Sequence, residues 1–417
     1  MLNHKTLLAA SVAVALGAAA CGGSSGSGNA GAGPTSSAGA GGGSGATRTF
    51  KVGVFYDATG PAGPSNKGFI DGVKAGLTVI EKQGLKFDIS TADTTTNPQA
   101  AGAAAAKLVQ QDKVDAVLAQ SAIAFVGTTF LAKQGVPVVG FPEDGPEWLL
   151  LPNMFSDIGP LDGTKVTTTI GDLFKKAGAT TVGTVGYAQS PQSVLSAKAV
   201  AVSAQAAGLK APYVNTTFPF GGTNVQPVAL AMKNAGVDGV TTGTDQNTAL
   251  ALVTALKQVG APPKAFLLAA GYGSDTIEAG PNAVKAAEGA YFTTSYQPVE
   301  MNTDATKQFS AALNAVGVKQ ANFASYNGYV SVLLLAQALK DLGPSPSKAD
   351  IIKALGAITS FDAGGLRGDK PVNPGARTVK VGDEQCQWYS QLIGGQFKPV
   401  EGASPLCGKV TDQTVKP

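Results

Sequence analysis

Residues 51–77 read KVGVFYDATGPAGPSNKGFIDGVKAGL, and the hydrophobic period changes within this stretch. Residues 50–57 form a β-branched and aromatic run that ends in the turn cluster ATGPAGP, which is typical of a strand followed by a loop. Beyond the loop, Phe69, Val73 and Leu77 recur at helical spacing within residues 65–83. The stretch therefore predicts a strand, a loop and an amphipathic helix in that order.

The same unit recurs along most of the chain. Further strands are predicted at 86–93, 114–120, 136–141, 180–187, 211–218, 237–243, 264–270, 289–296 and 387–393. Predicted helices lie at 97–112, 123–134, 190–208, 224–235, 247–259, 303–316, 322–342 and 347–358. Because strands alternate with helices and the pattern restarts at residue 180, we predict an α/β fold with two doubly wound parallel-sheet lobes joined by a multi-strand hinge.

The run of strands and helices that starts at residue 180 is followed by more strands and helices than one lobe needs. We therefore expect the chain to cross back to the first lobe. The predicted lobe 1 comprises 49–160 plus 276–345, and the predicted lobe 2 comprises 161–275 plus 346–400. Residues 401–417 are expected to form a C-terminal tail that carries Cys407.

The first 48 residues differ in composition from the rest. Lys5, the apolar stretch 6–17 and the small residues before Cys21 are typical of a signal peptide, so we expect residues 1–20 to be removed. The small residues before Cys21 resemble a bacterial lipoprotein box, which implies lipidation of Cys21 and anchoring to the outer face of the cell membrane. Plain secretion is the alternative. Residues 21–48 are rich in Gly and Ser and are predicted to be a flexible tether.

Charge and histidine content exclude several functions. The 417 residues contain 31 Lys or Arg and 28 Asp or Glu without a basic block, so we expect no nucleic-acid partner. The single histidine, His4, lies in the expected signal peptide, so the mature chain lacks histidine-based nucleophile systems and metal sites. We expect no enzyme activity, no cofactor and no metal. A hydrolase that uses only Glu143, Asp144 and Asp245 stays open as an alternative.

Two cysteines remain besides Cys21. Cys386 and Cys407 are 21 positions apart in a chain that is expected to be exported. Export leads to a compartment that permits disulfides, so we expect a structural disulfide between them.

Several segments resemble a known family when they are taken in order. They are the opening 51–77, ADTTTNPQAAGAAAAKLVQQDKVDAVLAQSA (92–122), GVPVVGFPEDGPE (135–147), ALALVTALKQVG (249–260) and YNGYVSVLLLAQALKDLG (326–343). They are similar to type I periplasmic binding proteins of the leucine/isoleucine/valine-receptor class. The resemblance implies a monomeric receptor that holds a small-molecule solute between two lobes and delivers it to an ABC permease of the cytoplasmic membrane. A sensor of the same fold that signals to a membrane partner is the alternative.

Candidate ligand contacts follow the predicted strands, because ligands of open α/β sheets bind at the carboxyl ends of strands. They are Tyr56, Asp57, Ser121, Ala122, Phe125, Phe141, Pro142, Glu143, Asp144, Tyr187, Gln189, Asp245, Gln246, Asn247 and Tyr272. Tyr326 and Tyr329, which share helical spacing with the apolar run 330–335, are predicted to lie in the core instead.

Five of these residues carry specific expectations. By the resemblance, the Ser121 loop holds the carboxylate of a solute; the alternative is a helix N-cap. Glu143 and Asp144 would repel a carboxylate and suit a cation, a polyol or an amide, unless they point to solvent. Asp245 is either the partner of an ammonium or hydroxyl group or a helix cap. Tyr187 is expected to replace the tyrosine contact that the family usually makes near Gln189.

Overall fold

The computed structural model describes residues 47–416. The expected signal peptide, Cys21 and nearly all of the expected tether lie outside the described residues. Within 47–416 the strands form two separate sheets, one of five strands and one of nine, so the prediction of a two-lobed α/β fold is confirmed. None of the helices in this range has the length and hydropathy needed to span a membrane.

The first sheet is entirely parallel and has the strand order β2-β1-β3-β4-β5. Its strands are β1 (Arg48–Tyr56), β2 (Leu85–Asp93), β3 (Ala116–Gln120), β4 (Val138–Gly140) and β5 (Met154–Ser156). Its helices are α1 (Gly63–Asn66), α2 (Phe69–Ile80), α3 (Pro98–Gln110), α4 (Ala124–Lys133) and α5 (Glu147–Leu150). Val52, Val54 and Phe55 of β1 are fully buried, as expected for a strand that has helices on both faces of its sheet.

The second sheet has the strand order β6-β14-β12-β11-β10-β9-β7-β8, with β13 beside β12. Its strands are β6 (Lys165–Thr167), β7 (Thr181–Tyr187), β8 (Lys210–Phe218), β9 (Gly239–Gly243), β10 (Ala265–Leu268), β11 (Tyr291–Thr294), β12 (Glu384–Ile393), β13 (Gln396–Pro399) and β14 (Leu406–Thr414). It is parallel from β8 to β11 and antiparallel from β12 onward. The link from β12 to β13 is Gly394-Gly395, whose positive φ angles suit the tight turn of a hairpin.

The remaining helices divide between the two lobes. Those that follow the second-sheet strands are α6 (Thr169–Lys176), α7 (Pro191–Ala206), α8 (Gln226–Asn234), α9 (Gln246–Gln258), α10 (Ser274–Glu278) and α11 (Pro281–Ala287). Those that return to the first lobe are α12 (Asp304–Ala315), α13 (Phe323–Leu339) and α14 (Lys348–Gly356). α12 and α13 pack on α2, and α14 packs on α13.

The chain therefore passes between the lobes three times, between β5 and β6, between β11 and α12, and between α14 and β12. Strand β11 lies in the range 276–345 predicted for lobe 1, but its ladder partners are β10 and β12 of the second sheet. Helix α14 lies in the range 346–400 predicted for lobe 2, but it packs on α13. Residues 401–417, predicted as a tail, include β14, which pairs with β12 and β6. We propose the three crossings as the lobe boundaries.

Helix α13 forms the centre of the first lobe. It begins at a capping box in which the Asn322 side chain accepts a hydrogen bond from Ser325 N, while Ser325 Oγ accepts one from Asn322 N. Tyr326 and Tyr329 are 1 % and 3 % exposed, so their predicted place in the core is confirmed.

Helices α2 and α13 approach so closely that their contact requires glycine. A Cβ atom on Gly328 would lie 2.0 Å from the carbonyl oxygen of Phe69, and one on Gly72 would lie 2.0 Å from that of Ser325. Backbone atoms cannot move aside as a side chain could, so a methyl group at either position would force the helices apart.

Gly328→Ala should therefore destabilise the protein by about 2–3 kcal/mol, because the added methyl overpacks a helix contact. Gly102→Ala in α3 is the matched control, since a Cβ there meets nothing within 4 Å. We expect the control to stabilise by about 0.5–1 kcal/mol, since alanine loses less backbone entropy in a helix. Chemical denaturation of both variants is the measurement. Equal free energies of unfolding would contradict the close packing of α2 on α13.

Candidate functional site

A cavity of about 330 Å³ lies between the two lobes. The lobe-1 wall includes residues that follow β3 and β4 and one residue at the start of α13: Ala122, Phe141, Pro142, Glu143 and Phe323. The lobe-2 wall includes residues at or after the ends of β7, β8 and β9: Tyr187, Phe220, Gly243, Thr244 and Asp245. The carboxyl ends of strands from both sheets thus meet at one cavity, which is where α/β folds bind ligands.

The cavity continues into lobe 2 along one side of α7. Ser196 and Val200 of α7 line this arm, and Gln385 and Gln387 of β12 line it as well. Lys165, in β6, is the only lysine or arginine among the cavity-lining residues of 47–416. Glu143 and Asp245 thus line the same cavity as a single basic residue, Lys165.

The candidate contacts divide into two groups. Those that line the cavity are Ala122, Phe141, Pro142, Glu143, Tyr187 and Asp245. Those that do not line it are Tyr56, Asp57, Ser121, Phe125, Asp144, Gln189, Gln246, Asn247 and Tyr272. Several members of the second group hold the cavity walls in place through hydrogen bonds, among them Asp57, Asp144 and Gln189.

The buried carboxylate of Asp57 organises the lobe-1 wall. Its Oδ1 accepts hydrogen bonds from the hydroxyls of Thr94 and Ser121, the latter at 2.7 Å. Its Oδ2 accepts from Asn66 Nδ2 at 2.9 Å and from Ala122 N at 2.8 Å. Asp57 and Ser121 are both fully buried. The donors of the Ser121 loop are thus directed at a carboxylate of the protein itself.

Glu143 lies beside this cluster and is partly open to the cavity. Its Oε2 accepts a hydrogen bond from Asn66 Nδ2 at 2.9 Å, and Asn66 Oδ1 in turn accepts one from Gln120 Nε2 at 2.8 Å. Burial raises the pKa of Glu143 to about 8, the negative charge of Asp57 adds to the rise, and the hydrogen bond from Asn66 opposes it. Near neutral pH, Glu143 is therefore mostly protonated when no solute is bound.

Asp144 points away from the cavity into the protein. Its Oδ2 accepts from Phe125 N at 2.6 Å, and its Oδ1 accepts from Trp148 Nε1 at 3.1 Å. Burial, followed by the charge of Glu147, raises the pKa of Asp144 well above its usual value. Two adjacent acidic residues thus have different surroundings, and only Glu143 faces the cavity.

Asp245 both lines the cavity and caps α9. Its Oδ1 accepts from Asn247 N at 2.9 Å and from Thr248 N at 3.1 Å, which is N-cap geometry. Its Oδ2 accepts from Thr248 Oγ1 at 2.7 Å and from the Tyr187 hydroxyl. Burial and the Asp245 charge raise the pKa of Tyr187, so this phenol stays protonated and donates.

Each wall carries a pair of aromatic rings. Phe141 and Phe323 pack edge to face with their centroids 5.1 Å apart, and Tyr187 and Phe220 pack at 4.6 Å. Phe220 was not among the candidates, although it follows β8 and the rule of strand ends could have found it. Phe323 starts a helix far along the chain, and no local pattern indicates its place in the cavity.

Two other candidates, Tyr272 and Gln189, have structural contacts. Tyr272 is 1 % exposed, lies among Tyr326 and Phe397, and donates to Glu300 Oε2. Gln189 Oε1 accepts from Phe220 N at 3.0 Å and so supports the loop that carries the Phe220 ring.

Comparison with protein families identifies the chain. A family model described as periplasmic binding protein matches residues 49–379. The chain therefore belongs to the periplasmic binding protein family, which confirms the resemblance found in its motifs. No curated protein matches the chain.

Solved structures share the fold at low sequence identity. An ABC transporter substrate-binding protein from Aeropyrum pernix matches with a TM-score of 0.70 and 18 % identity over 88 % of this chain and 97 % of its own. A solute-binding protein from R. palustris in complex with 4-hydroxybenzoate matches with a TM-score of 0.69 and 18 % identity over 88 % of this chain and 97 % of its own. A branched-chain amino acid transporter substrate-binding protein from Streptococcus pneumoniae in complex with isoleucine matches with a TM-score of 0.67 and 18 % identity. The match covers 89 % of this chain and 100 % of its own.

Glu143→Gln should show how much the carboxylate of Glu143 lowers the free energy of unfolding. Because the pKa of Glu143 rises from 4.5 to about 8 on folding, its contribution to the free energy of unfolding falls as pH rises between those values. Glutamine keeps an oxygen that can accept from Asn66. We therefore expect the variant to melt above the parent at pH 8 and close to it at pH 5.

The control is Glu401→Gln, which changes the same functional group on an exposed turn. Its melting temperature should follow that of the parent across the pH range. A difference between E143Q and the parent that does not vary with pH would contradict the raised pKa of Glu143.

Proposed function

We propose that this protein is an extracytoplasmic solute receptor that captures a small polar solute as a monomer and delivers it to an ABC importer. The observation that carries the proposal is the cavity at which the carboxyl ends of strands from both sheets meet. Three chain crossings join the lobes, a connection that suits closure around a ligand by a hinge motion. On this proposal the protein is a binding protein and not an enzyme.

The cavity suits a solute about the size of an amino acid, an amide or a polyol. Its volume of about 330 Å³ lies at the small end of the usual range for ligand pockets. The R. palustris relative carries 4-hydroxybenzoate and the Streptococcus pneumoniae relative carries isoleucine, which are both small organic solutes. Aromatic rings and carboxylates on both walls would contact the solute from two sides, so binding would favour the closed form.

A thermal-shift screen of the mature chain tests solute capture. A solute that binds only the folded protein raises the melting temperature by mass action, so amino acids, amides, polyols, amines and aromatic acids form the panel. Phe141→Ala and Phe220→Ala each remove a ring from one wall, and we expect either to weaken binding about 10-fold, or 1.4 kcal/mol.

Leu150→Ala is the matched control, because Leu150 is 72 % exposed and does not line the cavity. It should leave affinity unchanged. A solute whose binding is insensitive to both Phe141→Ala and Phe220→Ala would place the binding site elsewhere and contradict the proposal.

We further propose that lipidation of Cys21 anchors the mature protein to the outer face of the cell membrane. The motif before Cys21 and the Gly/Ser-rich residues 21–48 support this arrangement. Cys21→Ser should move the protein from the membrane fraction to the medium, as immunoblotting of fractionated cells would show. Continued membrane association of the Cys21→Ser protein would contradict lipid anchoring.

We propose that Cys386 and Cys407 form a disulfide in the exported protein. The two residues face each other directly in the β12–β14 ladder, with their Cα atoms 4.0 Å apart. A cross-link that closes a loop of this length is expected to stabilise the fold by roughly 2–4 kcal/mol. The double variant C386S/C407S should therefore melt below the parent, and reductant should lower the melting temperature of the parent alone. Two free thiols in the unfolded, unreduced protein would contradict the proposal.

A further inference from the structure

Two donors of the Ser121 loop that could hold a solute carboxylate are already occupied. The Ser121 hydroxyl and Ala122 N both donate to Asp57, which also takes donors from Asn66 and Thr94. Asp57 and Ser121 are fully buried and lie behind the cavity surface. A solute carboxylate that took these donors would have to displace the buried carboxylate of Asp57 from its hydrogen bonds.

The ionisable groups around the cavity favour a cation. The carboxylates of Glu143, Asp162 and Asp245 line it, whereas Lys165 is the only basic side chain among the lining residues of 47–416. Within the same range, neither Glu143 nor Asp245 forms an ion pair. Asp245 is committed to the N-cap of α9 and to Tyr187, so Glu143 has the fewest bonds within the protein.

Aromatic rings on both walls would add a second attraction for a positively charged solute. The Phe141–Phe323 pair lines the cavity from lobe 1, and the Tyr187–Phe220 pair lines it from lobe 2. Aromatic rings attract ammonium groups through their π faces, and the attraction grows when water is excluded. Closure of the lobes would bring both pairs to one solute.

We propose that the solute is a small organic cation whose ammonium group lies beside Glu143, between the Phe141–Phe323 and Tyr187–Phe220 pairs. The inference rests on the proposed solute capture and names the chemical class of the solute. It assigns Glu143 as the residue that determines charge specificity.

Binding of such a cation would be coupled to a proton. Burial beside Asp57 raises the pKa of Glu143 to about 8, which keeps it protonated at neutral pH, and a bound cation would favour the carboxylate. The other ionisable groups around Glu143 are Asp57 behind it, Asp144 and Glu147 on its own loop and α5, and Asp162, Lys165, Tyr187 and Asp245 of lobe 2. Each binding event should therefore release close to one proton at pH 7.

A pair of probes with the same shape and different charge tests the charge class. Choline carries a quaternary ammonium, and 3,3-dimethylbutan-1-ol replaces its nitrogen by carbon. By titration calorimetry on the mature chain, we expect choline to bind at least ~10-fold more tightly than the alcohol at pH 8. Glu143→Gln should abolish this ratio, and Glu401→Gln should preserve it. Melting curves of both variants establish that they are folded.

The pH dependence supplies a second readout, because choline does not titrate. Its affinity should rise about tenfold from pH 6 to pH 7 and level off above pH 8 in the parent, and it should be flat in E143Q. Equal or tighter binding of the alcohol, or a choline affinity that is independent of pH, would overturn the cation proposal. Absence of binding by both probes would also overturn it. The thermal-shift screen of other solutes would then show separately whether the protein captures a solute at all.

Discussion

One wall of the cleft depends on a single buried carboxylate. Asp57 follows β1 of the first sheet and accepts four hydrogen bonds, which come from Asn66, Thr94, Ser121 and Ala122. These donors lie in α1 and in the loops after β2 and β3. A buried charge is tolerated only when it is saturated in this way, so the loops must adopt one arrangement for the lobe to fold. The same network holds Asn66 against Glu143, and thereby places Glu143 at the cavity surface.

Glu143 lowers the stability of the fold at neutral pH and above, since burial and a neighbouring carboxylate both disfavour its charged form. Nothing in the packing of lobe 1 requires an acid there, because a neutral acceptor could also take the hydrogen bond from Asn66. Groups with strongly shifted pKa values concentrate at functional sites. A raised pKa alone does not make a group functional, since the pKa of Asp144 is raised as well while Phe125 N and Trp148 Nε1 bind both of its oxygens inside the protein.

The joint between the lobes also contains a buried charge. Arg367, 5 % exposed, follows α14 in the third crossing and donates to the Ser295 carbonyl at 2.6 Å in the second. Its guanidinium lies 5.1 Å from the centroid of Trp388 in β12. One side chain thus links two of the crossings and the second sheet.

Much of the fold was predictable from local sequence, because helix N-caps are local signals. Thr303, Asn322 and Ser347 cap α12, α13 and α14, whose predicted and observed starts agree within one or two residues. The short strands β5 and β6 and the pairing of β14 were not predictable, since they depend on partners far away in the chain. The rule of strand ends located Glu143 and Tyr187 at the cavity, but it could not show that Asp144 turns inward or that Phe323 faces the cavity.

Solute capture requires the two lobes to close on a solute in the cavity between them. Closure can be measured by small-angle X-ray scattering of the mature chain, alone and saturated with a solute whose binding is established by calorimetry. Closure predicts a smaller radius of gyration in the saturated protein, and Phe141→Ala should require more solute to reach it. An unchanged radius of gyration at full saturation would contradict capture between the lobes.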